Sequence, residues 1–435
     1  MAKRAEAAER LETYCKQLEA VIGHADRAAP LRAYVQGLLL PGERKSIEPM
    51  AAKIDPRRVQ ARHQSMHHFV ASAPWDEREV IRVARDYALE PLERHAPVGA
   101  WVIDDTGFPK KGRHSVGVTR QYCGQLGKQD NCQVVVTLSL VNTVMSVPAT
   151  YRLYLPESWA TDGKRRRAAG VPKEVAFRKK WEIALEGIDE LLAEDLPRAP
   201  VVADAGYGVA TEFREQLTAR HLLYAVGVSE DVTVWAAGAE PLRPPPPSGR
   251  RMGRPRKLLR RDGTHAPRSV KALALSLSAA QWKEIRWREG TKGAMRSRFA
   301  ALRVRAAHRD YWRTEPRELE WLLIEWPAGE KEPIKYWLST VSAKASMDDL
   351  VRLVKLRWRI ERDYQEMKDE LGLDHYEGRG WLGFHHHGAL CIAAYAFLAA
   401  ERARLSPPAP LAFLRAAPLP KGFRPRGAAP ARGAA

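Results

Sequence analysis

Two short stretches of this chain end an apolar run on an acid and then turn. WVIDDT (101–106) carries Asp104 and Asp105 ahead of Gly107 and Pro109, and VVADAGYG (201–208) carries Asp204 ahead of a Gly-containing turn. An apolar, β-branched run closed by Gly and Pro predicts a core strand. Acids at the carboxyl ends of such strands lie where open α/β sheets keep their sites. A third acid, Glu361, falls in RWRIERDYQEMK (357–368). Residues three, four and seven apart share one helical face, so Val354, Arg357, Glu361, Tyr364 and Lys368 form a stripe. Each acid also has a plainer reading. Asp104 or Asp105 would cap a turn, Asp204 would cap a helix starting near Ala210, and Glu361 would pair with Arg357. Brought together, such carboxylates collect hard, oxygen-seeking cations such as Mg²⁺. Two of these ions about 4 Å apart activate a water or hydroxyl and stabilise the leaving oxygen in phosphoryl transfer. Arg357 and Lys368 would favour the ionised form of Glu361 or hold a phosphate beside it.

Acids so far apart in sequence meet only if the fold converges their elements. The first hundred residues read as helices: two in LRAYVQGLLLPGERKSIEPMAAKI around a Pro41-Gly42 break, then RRVQARHQSMHHFVASA and DEREVIRVARDYALEPLERH. From Trp101 the texture changes to strands at WVIDDT, CQVVVTLSLVN and PATYRLYLP. A helix is predicted around VAFRKKWEIALEGIDELLAEDL, a fourth strand at APVVADAGYG, a helix at ATEFREQLTARH and a fifth strand at LLYAVGV. Three consecutive strands followed by alternating helix and strand describe a mixed α/β sheet. Strand one, strand four and a late helix converge in the ribonuclease H-like fold, and that is the fold expected here. After about Thr233 comes a Pro- and Arg-rich segment, expected to be extended and solvated, and then strands near SRFAALRVRAAH, ELEWLLIEWP and KYWLSTV. This reads as a β-rich insertion. SMDDLVRLVKLRWRIERDYQEMKDELGL restores helical periodicity, with a capping-box start at Ser346 and Asp349 and a stop at Gly372, and HHHGALCIAAYAFLAAERARL makes another apolar helix. The expected division is therefore a helical amino-terminal DNA-binding region (1–95), the first part of the core (96–232), a basic β-rich insertion (233–344), core completion (345–405) and a disordered Pro/Ala/Arg tail (406–435).

Charge points the same way as the acids. The 435 residues carry a formal net charge of +19 and a pI near 9.9, an excess that favours a polyanion, most often nucleic acid. No run approaches the roughly 20 apolar residues of a spanning helix, and MAKRAEAAERLETY lacks the apolar core of a secretory signal. Cys15, Cys123, Cys132 and Cys391 show no paired short spacing and read as reduced thiols of a cytosolic protein. Among smaller signals, GRPRK (253–257) resembles a minor-groove hook through Arg254 and Arg256, although a generic basic loop is the favoured reading. Lys110 and Lys111 stand where they would either steer DNA phosphates toward the first acid or only solvate the turn. His385, His386 and His387 are consecutive, so they point to different faces and do not suit one metal ion. The tryptophans, Trp321, Trp326 and Trp337 among them, suit core packing better than stacking on bases.

At RWRIERDYQEMK the chain resembles the DDE transposases of bacterial insertion sequences, and most of all the 701 group, related to insertion sequence four. Those enzymes carry a helical Y-x-x-R-x-x-x-E-x-x-x-x-x-x-K motif. Arg357, Glu361 and Lys368 fall in step with it, while Val354 stands where the tyrosine is expected. The family's first acid immediately precedes a threonine, which selects Asp105 before Thr106, and its second follows the fourth strand, matching Asp204. HSVGVTRQYCGQLGKQDNCQVVVTLSLVN and YEGRGWLGFHHHGAL are also similar to stretches of the group. The resemblance implies that Asp105, Asp204 and Glu361 hold two Mg²⁺ ions (with Mn²⁺ as a substitute) and that Arg357 and Lys368 position DNA phosphates. It further implies double-stranded DNA partners (terminal inverted repeats and a target), hydrolytic nicking, strand transfer by a freed 3′-hydroxyl, and a homodimer on paired ends in the bacterial cytoplasm at the nucleoid. A related nuclease that cuts without joining, or a non-catalytic DNA-binding derivative, are the alternatives.

Overall fold

The run Ala100–Ile103 carries no charged group and is buried outright, as expected of a strand covered on both faces. It lies in the middle of the sheet that organises the molecule. The structure, a computed structural model, describes residues 2–244, 257–290 and 293–405. Five helices come first: α1 (Ala2–Val21), α2 (Ala28–Leu39), α3 (Ile47–Ile54), α4 (Val59–Ala71) and α5 (Glu77–His95). Strands β1 (Ala100–Pro109), β2 (Thr119–Cys123), β3 (Lys128–Val141) and β4 (Ser146–Leu153) follow. Next come α6 (Glu157–Ala160), α7 (Gly163–Ala168), α8 (Lys180–Ala193), β5 (Val201–Ala203), α9 (Ala205–Gly208), α10 (Thr211–Ala219) and β6 (Tyr224–Val228). The inserted part holds β7 (Thr233–Trp235), β8 (Arg268–Ser269), α11 (Val270–Leu275), β9 (Lys283–Gly290), β10 (Gly293–Ala306), β11 (Glu320–Trp326) and β12 (Lys335–Ser339). Helices α12 (Met347–Lys355), α13 (Trp358–Asp369) and α14 (Trp381–Leu405) close it.

β1 pairs antiparallel with β3 and parallel with β5, and β5 pairs parallel with β6. β3 is long enough to hold β2 with its first half and β4 with its second. The order β4-β3-β1-β5-β6 is the ribonuclease H-like mixed sheet that the sequence predicts. The crossover from β1 to its parallel neighbour runs through α8, the one from β5 to β6 through α9 and α10. The inserted strands do not form a sheet of their own. β12 pairs antiparallel with β6, and β11, β10 and β7 continue outward in one twelve-stranded sheet. Without β12 the outer edge of β6 would present unpaired N–H and C=O groups.

Helix α14 is buried almost all round from Gly383 to Ala400, as its lack of a polar face requires. β4 lies on one side of it and the amino-terminal helices on the other. Tyr14 donates its hydroxyl to Ala393 O at 2.9 Å, Tyr34 bonds His387 Nδ1 at 2.8 Å, and His95 Nε2 meets Ala403 O at 2.7 Å. The three consecutive histidines go to separate partners. His385 accepts from Leu153 N–H, His386 lies between Val70 O and Trp75 O, and His387 meets Gly372 O. Among the described residues no helix is long and apolar enough to cross a membrane.

Three details differ from expectation. β2 has no counterpart among the predicted strands; it lies in the stretch HSVGVTRQYC, and a tight turn ending at Gly127, with a positive φ of 64°, folds it back onto β3. α8 begins at Lys180 rather than near Val175, because the Glu182 carboxylate accepts the Lys179 N–H at 2.7 Å and fixes the start there. The single helix expected from Ser346 to Gly372 is interrupted at Leu356–Arg357. Three-residue turns, Leu356 N–H to Leu353 O and Arg359 N–H to Leu356 O, replace the ordinary ladder there. The tail beyond Leu405, and Arg254 and Arg256 of the predicted hook, lie outside the described residues.

Candidate active site

Successive side chains of a strand point to opposite faces of the sheet, so Asp104 and Asp105 part company. Asp104 faces α13. Its carboxylate accepts two bonds from Arg357 Nη2, at 3.1 and 3.0 Å. Asp105 faces α8 on the far side, where Lys180 Nζ and the Tyr207 hydroxyl donate to its two oxygens. The expectation that Asp105 joins the other acids is therefore corrected by strand parity: Asp104 takes that place.

Asp204 arrives beside Asp104 through the register of parallel strands. Trp101 pairs with Val201 and Val102 with Val202, and two residues further along come Asp104 and Asp204. Asp204 caps α9, its Oδ1 accepting the Gly206 N–H at 2.9 Å. α9 lies directly on β6, and the glycines allow it. A Cβ at Gly208 would stand 2.0 Å from Gly227 O, and one at Gly227 would stand 2.7 Å from Ala205 N. The plainer reading of Asp204 as a cap is thus true in part, with the helix shorter and earlier than the one near Ala210.

Glu361 comes from the first turn of α13, placed by the interruption at 356–357. Arg357 Nη1 bonds Glu361 Oε1 at 2.8 Å and its Nη2 lies 3.9 Å from Asp204 Oδ2. One guanidinium thus joins Asp104, Asp204 and Glu361, which come from three different elements. Burial opposes its charge, but Asp104, Glu361 and Asp204 together hold its pKa above the ordinary range. Asp104 is 9% exposed. Burial pushes its pKa up to about 6, with Arg357 opposing the rise and Asp204 adding to it.

Two of the three lysines expected near phosphate are turned inward. Lys368 is buried, its ammonium on Gly107 O at 3.0 Å and Gln125 Oε1 at 3.1 Å. Lys110 donates to Tyr376 O at 2.9 Å. Burial lowers the pKa of both. Lys111 alone of the three is exposed. Sequence reasoning missed Lys180 and Tyr207; the only signal for either was the nearness of Tyr207 to Asp204 in ADAGYG.

The donor set suits a divalent cation: three carboxylates and no soft ligand, one of them buried deeply enough to resist ionisation without a positive neighbour. Among the described residues no three acidic, His or Cys side chains have closed to metal-holding distance. The Arg357 guanidinium supplies the neutralising charge in this arrangement.

Comparison with known proteins bears on the same region. The chain is 31% identical over 166 residues to a protein of Microchaete diplosiphon described as "Probable transposase for insertion sequence element IS701". That match covers 38% of this chain and 40% of the relative, so the chain spans well under half of that protein's length. A family model described as "DDE superfamily endonuclease" matches residues 17–294. The matched span includes Asp104, Asp105 and Asp204 and ends before α13. With well over half of the sequence matched, the chain belongs to the DDE superfamily endonucleases.

Proposed function

We propose that this protein is a DNA transposase. It would bind terminal inverted repeats, cut DNA in a metal-dependent reaction, and join the freed 3′-hydroxyl to a target. The observation that carries the reading is the convergence of Asp104, Asp204 and Glu361 on one guanidinium, from β1, the β5–α9 turn and α13. The superfamily membership supports the cutting step. The relative's description supports transposition.

Asp104, Asp204 and Glu361 would hold two Mg²⁺ ions, with Mn²⁺ a substitute. When bound, such ions supply the activated hydroxyl and the Lewis acid for in-line displacement at phosphorus. Asp204 is oriented by the Gly206 N–H, and Asp104 by its place between strands that cannot shift independently. Arg357 keeps the acids neutralised before cations enter and is then positioned to meet a non-bridging phosphate oxygen. Asp105 ties β1 to α9 through Tyr207 and to α8 through Lys180. It therefore supports the geometry of Asp104 and Asp204 without touching substrate. Double-stranded DNA is the partner, and paired ends call for a homodimer.

The test offers DNA bearing the element's ends, with target DNA and Mg²⁺, to wild type, Asp104→Asn and Asp105→Asn. Asp104→Asn is expected to lose cleavage by on the order of 10³-fold or more, and Asp105→Asn by about 10- to 100-fold, as for a residue supporting a ligand. Equal activity of Asp104→Asn and wild type would remove the site. Cleavage without joined product from a pre-nicked end would leave a nuclease.

A further inference from the structure

We propose that a basic strip beside β1, formed by the loop after β1, the α7–α8 segment and the chain before α14, holds the phosphodiester backbone of duplex DNA flanking the cut. This rests on the transposase reading and adds where the duplex lies. Residues 163–180 contain eight Lys or Arg and a single acid, Glu174, and the loop after β1 reads KKGRH with no acid.

Main-chain and side-chain bonds fasten these pieces into one frame. Val116 N–H donates to Arg379 O at 3.0 Å, Trp381 N–H to Ala169 O at 2.8 Å, and Arg165 Nη2 to Arg113 O at 3.1 Å. Two of the arginines belong to the frame itself. Arg165 lies 3.8 Å over the Trp159 ring, whose indole N–H donates to Val118 O at 2.7 Å. Arg166 donates to Ala160 O at 3.3 Å and Pro172 O at 2.8 Å.

Of the other cations, Lys110 is turned inward onto Tyr376 O, Lys180 bonds Asp105 and Arg178 pairs with Glu186, while six point outward. Lys111, Arg113, Lys164, Arg167, Lys173 and Arg379 are all exposed, and among the described residues none has a carboxylate within ion-pair distance. Elsewhere the exposed Arg94 pairs with Glu90, and the half-buried Arg220 and Lys271 pair with Asp189 and Glu332. Like charges held together on a fixed frame repel one another, and a polyanion relieves that repulsion while releasing its counterions.

The strip adjoins the acid cluster. Lys110 directly continues β1, and Lys180 at the start of α8 bonds Asp105, the neighbour of Asp104. A membrane surface would call for apolar groups among the cations, and Phe177 is the one large exposed apolar side chain within 163–180. Backbone phosphates fit the strip's predominantly positive charge, and such contacts position a duplex without reading its sequence.

The experiment measures binding of the full chain to a short duplex, by fluorescence anisotropy without divalent metal, over a range of salt concentrations. It compares wild type with the triple variant Lys164→Ala/Arg167→Ala/Lys173→Ala. A control triple, Arg94→Ala/Arg220→Ala/Lys271→Ala, removes the same charge from paired positions. The slope of log K against log salt is expected to fall by about 0.9 for each phosphate left without its cation, roughly 2.7 in the strip variant, with a smaller change in the control. Thermal melts establish that each variant folds. An unchanged slope in a folded strip variant overturns the proposal, as does an equal fall in the control. Loss of binding to anionic phospholipid vesicles with unchanged DNA slope would assign the strip to a membrane surface and also overturn it. Wild type that binds DNA without salt dependence would instead defeat the transposase reading itself.

Discussion

At the scale of residues, the adjacent acids Asp104 and Asp105 have opposite environments and opposite expected behaviour. Burial raises the Asp104 pKa from an ordinary 3.8 to about 6. The folded protein then keeps a proton that the unfolded chain releases between about pH 4 and 6. Stability contributed by this group is full at the acid end and falls as pH rises through that window, by on the order of 3 kcal/mol. Asp104→Asn has no charge to bury. It is expected to flatten that limb and, in metal-free buffer at neutral pH, to unfold at higher urea than wild type. Mg²⁺ is expected to raise the melting temperature of wild type and of Asp105→Asn, through binding to the folded state alone, and to leave Asp104→Asn nearly unmoved. Equal metal-induced shifts in all three proteins would place the ion elsewhere.

At the scale of elements, the site depends on how closely α9 approaches β6. A methyl group at Gly208 would meet Gly227 O at 2.0 Å, a backbone contact that cannot rotate away. Gly208→Ala is therefore expected to cost about 3 kcal/mol or more, read as a lower urea midpoint. Because Asp204 caps that helix, cleavage is expected to fall further than stability loss alone explains. Leu217→Ala, in the buried face of α10, provides the comparison. It is expected to cost about 2–5 kcal/mol and to keep its cleavage rate at temperatures where it remains folded. Similar cleavage in the two variants would separate α9 from the chemistry. The interruption between α12 and α13 matters for the same reason, since it turns Arg357 toward the acids from the start of α13.

At the scale of the whole molecule, the amino-terminal helices are wrapped around α14, whose other side rests on β4. Tyr14, Tyr34 and His95 all bond residues of α14. A chain lacking residues 1–95 would expose an almost wholly apolar helix, including Leu390, Ile392 and Phe397, and such a patch promotes association. We expect that fragment to aggregate or melt without cooperativity in calorimetry. A soluble fragment with a sharp transition would make the amino-terminal region an independent unit. The insertion is similarly continuous with the core, because β12 completes the edge of β6.

Much of this was legible in the chain itself. Acids at the ends of apolar runs, the order of three strands followed by alternation, and the late helix carrying Arg357 and Glu361 are local patterns, and local patterns survive into the fold. The choice between Asp104 and Asp105 was not legible, because β1 is buried on both faces and its apolar residues show no alternation to mark which side α13 would cover. Nor could periodicity tell that Lys368 would turn its charge to Gly107 O, that Asp105 would meet Lys180 and Tyr207, or that the inserted strands would extend the core sheet. Those outcomes depend on the partners that arrive from distant parts of the chain, and only tertiary packing supplies them.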